Sequence, residues 1–145
     1  MVFLNYKKLD ESLPDLKYAY EEDCCFDLVS AIDVIVYPNS YKPTIIPSGM
    51  IFDVPVGHEL QIRPRSGLAA KNTITVLNSP GTIDSNFSNE VQIMLINFGS
   101  EPYEVKKGTR IAQAKVSIKP SVTLRKVKEI KSIGRGENGL GSTGV

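Results

Sequence analysis

The sequence is poor in the residues that most often carry chemistry unaided. It holds one histidine, His58, and two cysteines, which stand side by side as Cys24 and Cys25. Four protein ligands for a zinc ion cannot be gathered from these without recruiting carboxylates. Adjacent cysteines pair poorly, so a disulfide framework is excluded and nothing points to secretion. His58 follows the turn Pro55-Val56-Gly57 and reads as a hairpin surface residue, and the cysteines read as small buried fillers. Long apolar runs are absent as well. The central stretch Ile93-Met94-Leu95-Ile96 is far short of the roughly 18 residues that a membrane span needs. The N-terminus, Met1 to Lys8, lacks the basic start, apolar centre and small-residue cleavage site of a secretory leader. It is expected to belong to the mature fold of a cytoplasmic protein, or of one working in a host cytoplasm if viral. Charge of one sign is missing too: 17 basic against 16 acidic residues leave a net charge of +1. No stable nucleic-acid binding by bulk charge is therefore expected, and no acidic tail.

What is present is a β-protein rhythm. The 145 residues are enough for one domain, and Gly and Pro punctuate short runs of Val, Ile, Thr, Phe and Tyr rather than helical patterns. Strands are expected at Phe26–Ala31, Asp33–Tyr37, Thr44–Ile46, Gly49–Val54, Glu59–Arg63, Thr73–Leu77, Glu90–Phe98, Tyr103–Val105, Arg110–Ile118 and Ser121–Val127. That predicts an all-β sandwich, jelly roll or distorted barrel. In Ile111–Ile118, Ala112, Ala114, Val116 and Ile118 alternate with residues that include Gln113, which should face away from the core. Glu90–Phe98 shows little alternation, as in a strand covered on both faces, with another subunit as one possible cover. Gly67–Asn72 predicts a turn or two of helix capped by Ser66. The division expected is a β domain over 1–133 and a glycine-rich arm over 134–145, where five glycines leave too little apolar surface to hold the segment in place until something orders it.

Three segments could carry chemistry. In Arg63-Pro64-Arg65-Ser66-Gly67-Leu68-Ala69, two guanidinium groups, a hydroxyl and a glycine lead into the helical turn, which suits phosphate; a solvated loop is the alternative. In the arm, Arg135 precedes Gly136-Glu137-Asn138-Gly139-Leu140-Gly141-Ser142-Thr143-Gly144, a combination phosphate cradles need, though no Walker A signature is present. In Asn78-Ser79-Pro80-Gly81-Thr82-Ile83-Asp84-Ser85-Asn86-Phe87, a turn cluster precedes a carboxylate that could take a proton from water or merely cap a turn. Asp27, inside a strand pattern, is an ordinary edge-strand acid or a ligand for Mg²⁺.

Taken in order, these segments resemble the five motifs of the homotrimeric dUTPases (deoxyuridine triphosphatases, or dUTP pyrophosphatases). The first is Cys25-Phe26-Asp27-Leu28, the second Pro64-Arg65-Ser66-Gly67-Leu68-Ala69, the third Gly81 to Phe87, the fourth Gly108-Thr109-Arg110-Ile111-Ala112-Gln113, and the fifth Arg135-Gly136 with Gly139 to Gly144. The resemblance covers residues 16–145 and implies a jelly-roll-like distorted barrel of the β-clip kind, with a short helical turn and a flexible arm. It further implies a homotrimer with sites at subunit interfaces, and cleavage of dUTP to dUMP and pyrophosphate with Mg²⁺, which limits uracil in DNA and supplies dUMP.

On this resemblance Asp84 activates the water, and Asp27 holds Mg²⁺ through water. Arg65, Ser66, Gly67, Gln113, Arg135, Gly141 and Ser142 take the phosphates. Asn78, Gly81 and Ile83 read uracil, Phe87 packs under the deoxyribose, and Leu140 covers the base. Phe87 stands where Tyr is usual, Asn86 where an acid is usual, Leu140 where an aromatic is usual, and Cys24-Cys25 where Ala-Gly is typical. Two rival readings are a dCTP deaminase of the same fold, which would need a glutamate near the base, and a non-catalytic trimeric module that binds a protein. A regulatory protein partner beside the substrate is compatible with the sequence.

Overall fold

The structure is a computed structural model and describes residues 1–131. Eleven strands and one helix follow one another along the described chain: β1 Asn5–Lys8, β2 Phe26–Val29, β3 Val34–Val36, β4 Thr44–Pro47, β5 Met50–Asp53, β6 His58–Arg63, α1 Ser66–Asn72, β7 Ile74–Val76, β8 Gly81–Asp84, β9 Gln92–Asn97, β10 Tyr103–Val105 and β11 Arg110–Ile118. They form antiparallel sheets ordered β2-β11-β6-β8, β4-β9-β7, β1-β5 and β10-β3. The sheets do not close on one another, and the whole is a distorted jelly roll.

The core is built from the inward halves of these strands. Leu28, Leu60, Ile62, Ala112 and Ala114 of the four-stranded sheet meet Ile46, Ile93, Leu95, Val76 and Ile74 of the three-stranded one, all buried. Burial of this aliphatic surface is the main force holding the sheets together. Asn97 is the one buried amide among the described residues, and it is fully employed. Its Nδ2 donates to the carbonyls of Val36 (3.0 Å) and Glu101 (2.8 Å), while its Oδ1 accepts from Gly99 N–H (2.8 Å). It thereby joins β3, β9 and the turn before β10 at no desolvation cost.

The structure departs from the sequence expectations at five places. Ser121–Val127 forms no strand; Leu124, 94% exposed, has no core to enter in this chain. Gly81–Asp84 is a strand rather than part of a turn cluster, held by register with β6, and Asn5–Lys8 is a strand that pairs with β5. Ser66 does not cap the helix: Arg65 is the N-cap residue, without a side-chain capping bond, and Ser66 is the first helical residue. Finally, the β11 alternation holds for Ala112, Gln113 and Ala114 but fails at its ends. A register shift between Arg110 and Ala112 buries Ile111 as well, and Ile118 is exposed.

Candidate functional site

The outer face of the β2-β11-β6-β8 sheet is polar because residues directly opposite one another on adjacent strands point to the same side. One row runs Asp27, Gln113, Arg63 across β2, β11 and β6. A second row runs Ser117, Glu59, Asp84 across β11, β6 and β8. Between them lies a hydrogen-bonded ladder in which Arg63 donates to Gln61 Oε1 through Nε (3.2 Å) and Nη2 (2.6 Å), and Gln61 Nε2 donates to Glu59 Oε1 (2.5 Å).

Around the first row the chain gathers charge. Arg65 Nε donates to Asp27 Oδ1 at 2.7 Å and its Nη1 to the Arg110 carbonyl at 3.3 Å, while Arg110 Nη1 donates to Asp27 Oδ2 at 3.2 Å. Gln113 Nε2 donates to the Pro64 carbonyl at 2.9 Å, which ties β11 to the chain entering α1. Arg65 and Asp27 are each about three-quarters buried, so solvent screens this contact less than a surface pair. Both Asp27 oxygens are engaged, whereas most donors of the two guanidinium groups remain free, leaving a cluster of net positive charge suited to an anion. Ser66 and Gly67 follow at the helix start, exposed, and a Cβ at Gly67 would meet no atom of the chain. At seven residues the helix is short, so an anion placed there would be met by Arg65 and the hydroxyl more than by a dipole.

The third segment lies across the sheet. Asp84 ends the edge strand β8, exposed, and makes no ion pair among the described residues. Asn78 packs its amide against Gly81, where a Cβ would lie 3.2 Å from Asn78 Nδ2; glycine lets the two approach. Ile83 is half-buried opposite Leu60. Phe87, whose N–H bonds the Asp84 carbonyl at 3.0 Å, lines a cleft of about 350 Å³ with Tyr6, Ile51 and Phe52.

Asp84 and the arginine cluster are therefore on one face but not together. Their rows are four residues apart along β6, or about 13 Å, and β8 is three strand spacings from β2, about 14 Å. Within one subunit these groups do not converge.

A family model described as dUTPase matches residues 11–144 of the chain. The chain belongs to the dUTPase family. It is 46% identical over 142 residues to a deoxyuridine 5'-triphosphate nucleotidohydrolase of Wolbachia pipientis, with 95% of this chain and 93% of the relative covered. To the enzyme of the same name from Clostridium acetobutylicum it is 42% identical over 145 residues, covering 100% and 99%. Among solved structures, the Staphylococcus bacteriophage 80alpha dUTPase with dUPNHPP superposes with a TM-score of 0.89 at 23% identity, covering both chains fully. A dUTPase variant from phage phi11 of S. aureus, described with a structural Mg(II) ion, gives 0.80 at 18% identity, with 88% and 98% covered. At these identities the two structures establish the fold alone.

Seen as a dUTPase, the chain brings its first, second and fourth motifs into one contact set, through Asp27, Arg65, Arg110 and Gln113. The third motif stands apart, and Arg135, Leu140, Gly141 and Ser142 lie outside the described residues. Arg110 had no expected role in the sequence reading, yet it shares the Asp27 carboxylate; the bulge before Ala112 that places it has no sequence signal. The cysteines are not buried fillers: Cys24 is exposed and Cys25 half-buried, because they precede β2 in a bend at its edge. His58 is half-buried rather than exposed and begins β6 opposite Ile118, at the far end from the arginines.

Magnesium can be tested against the donor set. Among the described residues no group of three or more His, Cys, Asp or Glu gathers, so the chain builds no direct cage. It offers one half-buried carboxylate, Asp27, beside anion-binding donors, which fits a hydrated ion held mostly by phosphate oxygens. No described helix is long and apolar enough to cross a membrane.

Proposed function

We propose that this chain hydrolyses dUTP to dUMP and pyrophosphate, in the cytoplasm and as a homotrimer whose sites are shared between subunits. The observation that carries the reading is the contact set in which Asp27, Arg65, Arg110 and Gln113, from three separate motifs, form one cationic cluster. The names of the relatives support the substrate.

The roles follow from chemistry. Arg65, the Ser66 hydroxyl, the Gly67 backbone and Gln113 bind the phosphate chain, with Arg135, Gly141 and Ser142 closing from the arm. Asn78 and the backbone of Gly81 and Ile83 pair with the uracil edge, where cytosine would leave buried polar atoms unmatched. Phe87 fills the space beneath C2′, and Leu140 covers the base. Asp84 orients a water and takes its proton as the oxygen attacks the α-phosphorus; the bond from that phosphorus to the bridging oxygen breaks, and pyrophosphate leaves. When bound, Mg²⁺ supplies charge neutralisation on the phosphates, with Asp27 contacting its water.

The separation of Asp84 from the cluster supports a shared site. So does surface left over by the fold: Ile45 and Met94 pair on the outer face of the β4-β9-β7 sheet, and Phe98, just past the end of β9, is 65% exposed. Leu124 and Ile130, in the stretch after β11, are exposed as well. Apolar surface of this kind marks an interface. Incubation with a panel of deoxynucleoside triphosphates, scored for pyrophosphate and ammonia, tests the reading. Pyrophosphate from dUTP alone is expected; ammonia from dCTP would replace the reading with deamination.

A further inference from the structure

The ladder along β6 has no part in the roles above, yet it ends beside the proposed base. Glu59 is the cross-strand partner of Asp84, so the two side chains leave the sheet on one face with Cβ atoms about 4.5–5.5 Å apart. Two acidic side chains placed directly opposite one another lower the stability of a sheet. Neither is paired with a cation among the described residues. β8 is the edge of its sheet and β6 its strand neighbour, while on the far side of β6 Ser117 faces Glu59 and Lys115 faces Gln61. Lys115 is thus two strand spacings from β8, about 10 Å.

The ladder decides which way these groups turn. Glu59 Oε1 accepts from Gln61 Nε2, and Gln61 Oε1 accepts from Arg63, so the Glu59 carboxylate is drawn along β6 toward Arg63 and the Gln61 amide is turned to Glu59 rather than to Asp84. All three side chains are half-buried, and solvent competes less for their bonds than it would at an open surface. Asp84 itself is exposed. A neutral or cationic residue opposite Asp84 would suit the sheet better, and a local rule broken in this way is expected where function has a use for it.

We propose that Glu59, held by Gln61 and Arg63, is a positioning residue for Asp84. It sets an acceptor where a donor would capture the Asp84 carboxylate, and so keeps that carboxylate off its own sheet and directed at the phosphate end of a neighbouring subunit. The sheet gives up some stability, and the base keeps its freedom. Glu59 acts through Asp84 and touches neither nucleotide nor water. The proposal rests on the reading of Asp84 as the water-activating residue of a shared site.

Glu59→Gln in the full chain is the test, because it keeps the size of the side chain and an oxygen for Gln61 while setting an N–H donor opposite Asp84. With Asp84 captured by that donor, kcat for dUTP should fall at least about tenfold, the size of a new hydrogen bond to a charged acceptor. KM and the affinity for dUPNHPP should stay within about threefold, and the urea midpoint should hold or rise because the acidic pair is gone. A side chain that only supported the fold would lower midpoint and activity together. Glu59→Asp keeps the carboxylate, offers no donor, and should retain kcat within about threefold of the parent. In a crystal of Glu59→Gln the new amide should lie within hydrogen-bond distance of the Asp84 carboxylate. Turnover of the parent is measured first: its absence would count against the dUTPase reading, and the urea midpoint and the crystal would still judge the contact. A smaller loss of kcat in Glu59→Gln, a fall in its urea midpoint, an amide turned away from Asp84, or an equal loss in Glu59→Asp overturns the proposal.

Discussion

Asp84 and Asp27 share a sheet face yet have opposite surroundings. Asp27 is clamped by two guanidinium groups, which fix its direction, while Asp84 stands exposed at a strand end without an ionic partner among the described residues. The roles proposed for them match these surroundings: a group that accepts a proton needs that freedom, and one that orders cations and phosphates needs the clamp. Asp84→Asn is accordingly expected to leave the fold and nucleotide binding near parental levels and to reduce turnover at least about a hundredfold, by steady-state assay beside isothermal titration with dUPNHPP. Asp27→Asn should instead raise the Mg²⁺ concentration for half-maximal activity by about tenfold, the size expected when an outer-shell partner is lost. Turnover of Asp84→Asn within threefold of the parent contradicts its assignment. The single residues proposed for the site were readable because Arg, Ser, Gly and Asp sit in motif order; Arg110 was not, because its role depends on cross-strand register.

At the scale of elements, strands with alternating or continuous apolar residues were legible and those defined by pairing alone were not. β9 announced itself through Ile93 to Ile96, and its Ile93 and Leu95 are indeed buried. β1, with Asn5-Tyr6-Lys7-Lys8, carries no such pattern and exists because its backbone pairs with β5. β8 was masked by the glycine and proline that introduce it. Residues 121–127 mislead in the other direction, since Val122 and Leu124 have strand-forming side chains but no strand of their own chain to meet. Ile93→Ala, at a fully buried centre of β9, should cost about 2–4 kcal/mol in a urea titration without changing the slope. The arm reading rests on sequence, and truncation tests it. Removal of Gly134–Val145 should preserve the assembly and abolish most activity, because Arg135 goes with it, whereas Leu140→Phe should tighten nucleotide binding by about 0.5–1.5 kcal/mol. A truncated chain as fast as the parent contradicts the lid.

In the whole molecule Asp84 and the arginine cluster lie some 13 Å apart along one direction and 14 Å along another, by strand geometry. The motifs and β9 are what make sequence alone expect an assembly, but the separation of Asp84 from the arginines became explicit only through register. Light scattering should give a mass about three times the 15.9 kDa chain. The sharing of sites is tested most directly by mixing two inactive variants, Asp84→Asn and Arg65→Ala, under conditions that exchange subunits. If Asp84 of one subunit serves the arginine cluster of another, hybrids contain sites with both groups intact, and activity should rise from near zero to about a quarter of the parental value for random assembly. Hybrids that form, as shown by mass spectrometry with one variant isotopically labelled, and yet stay as inactive as the separate variants would contradict the shared site.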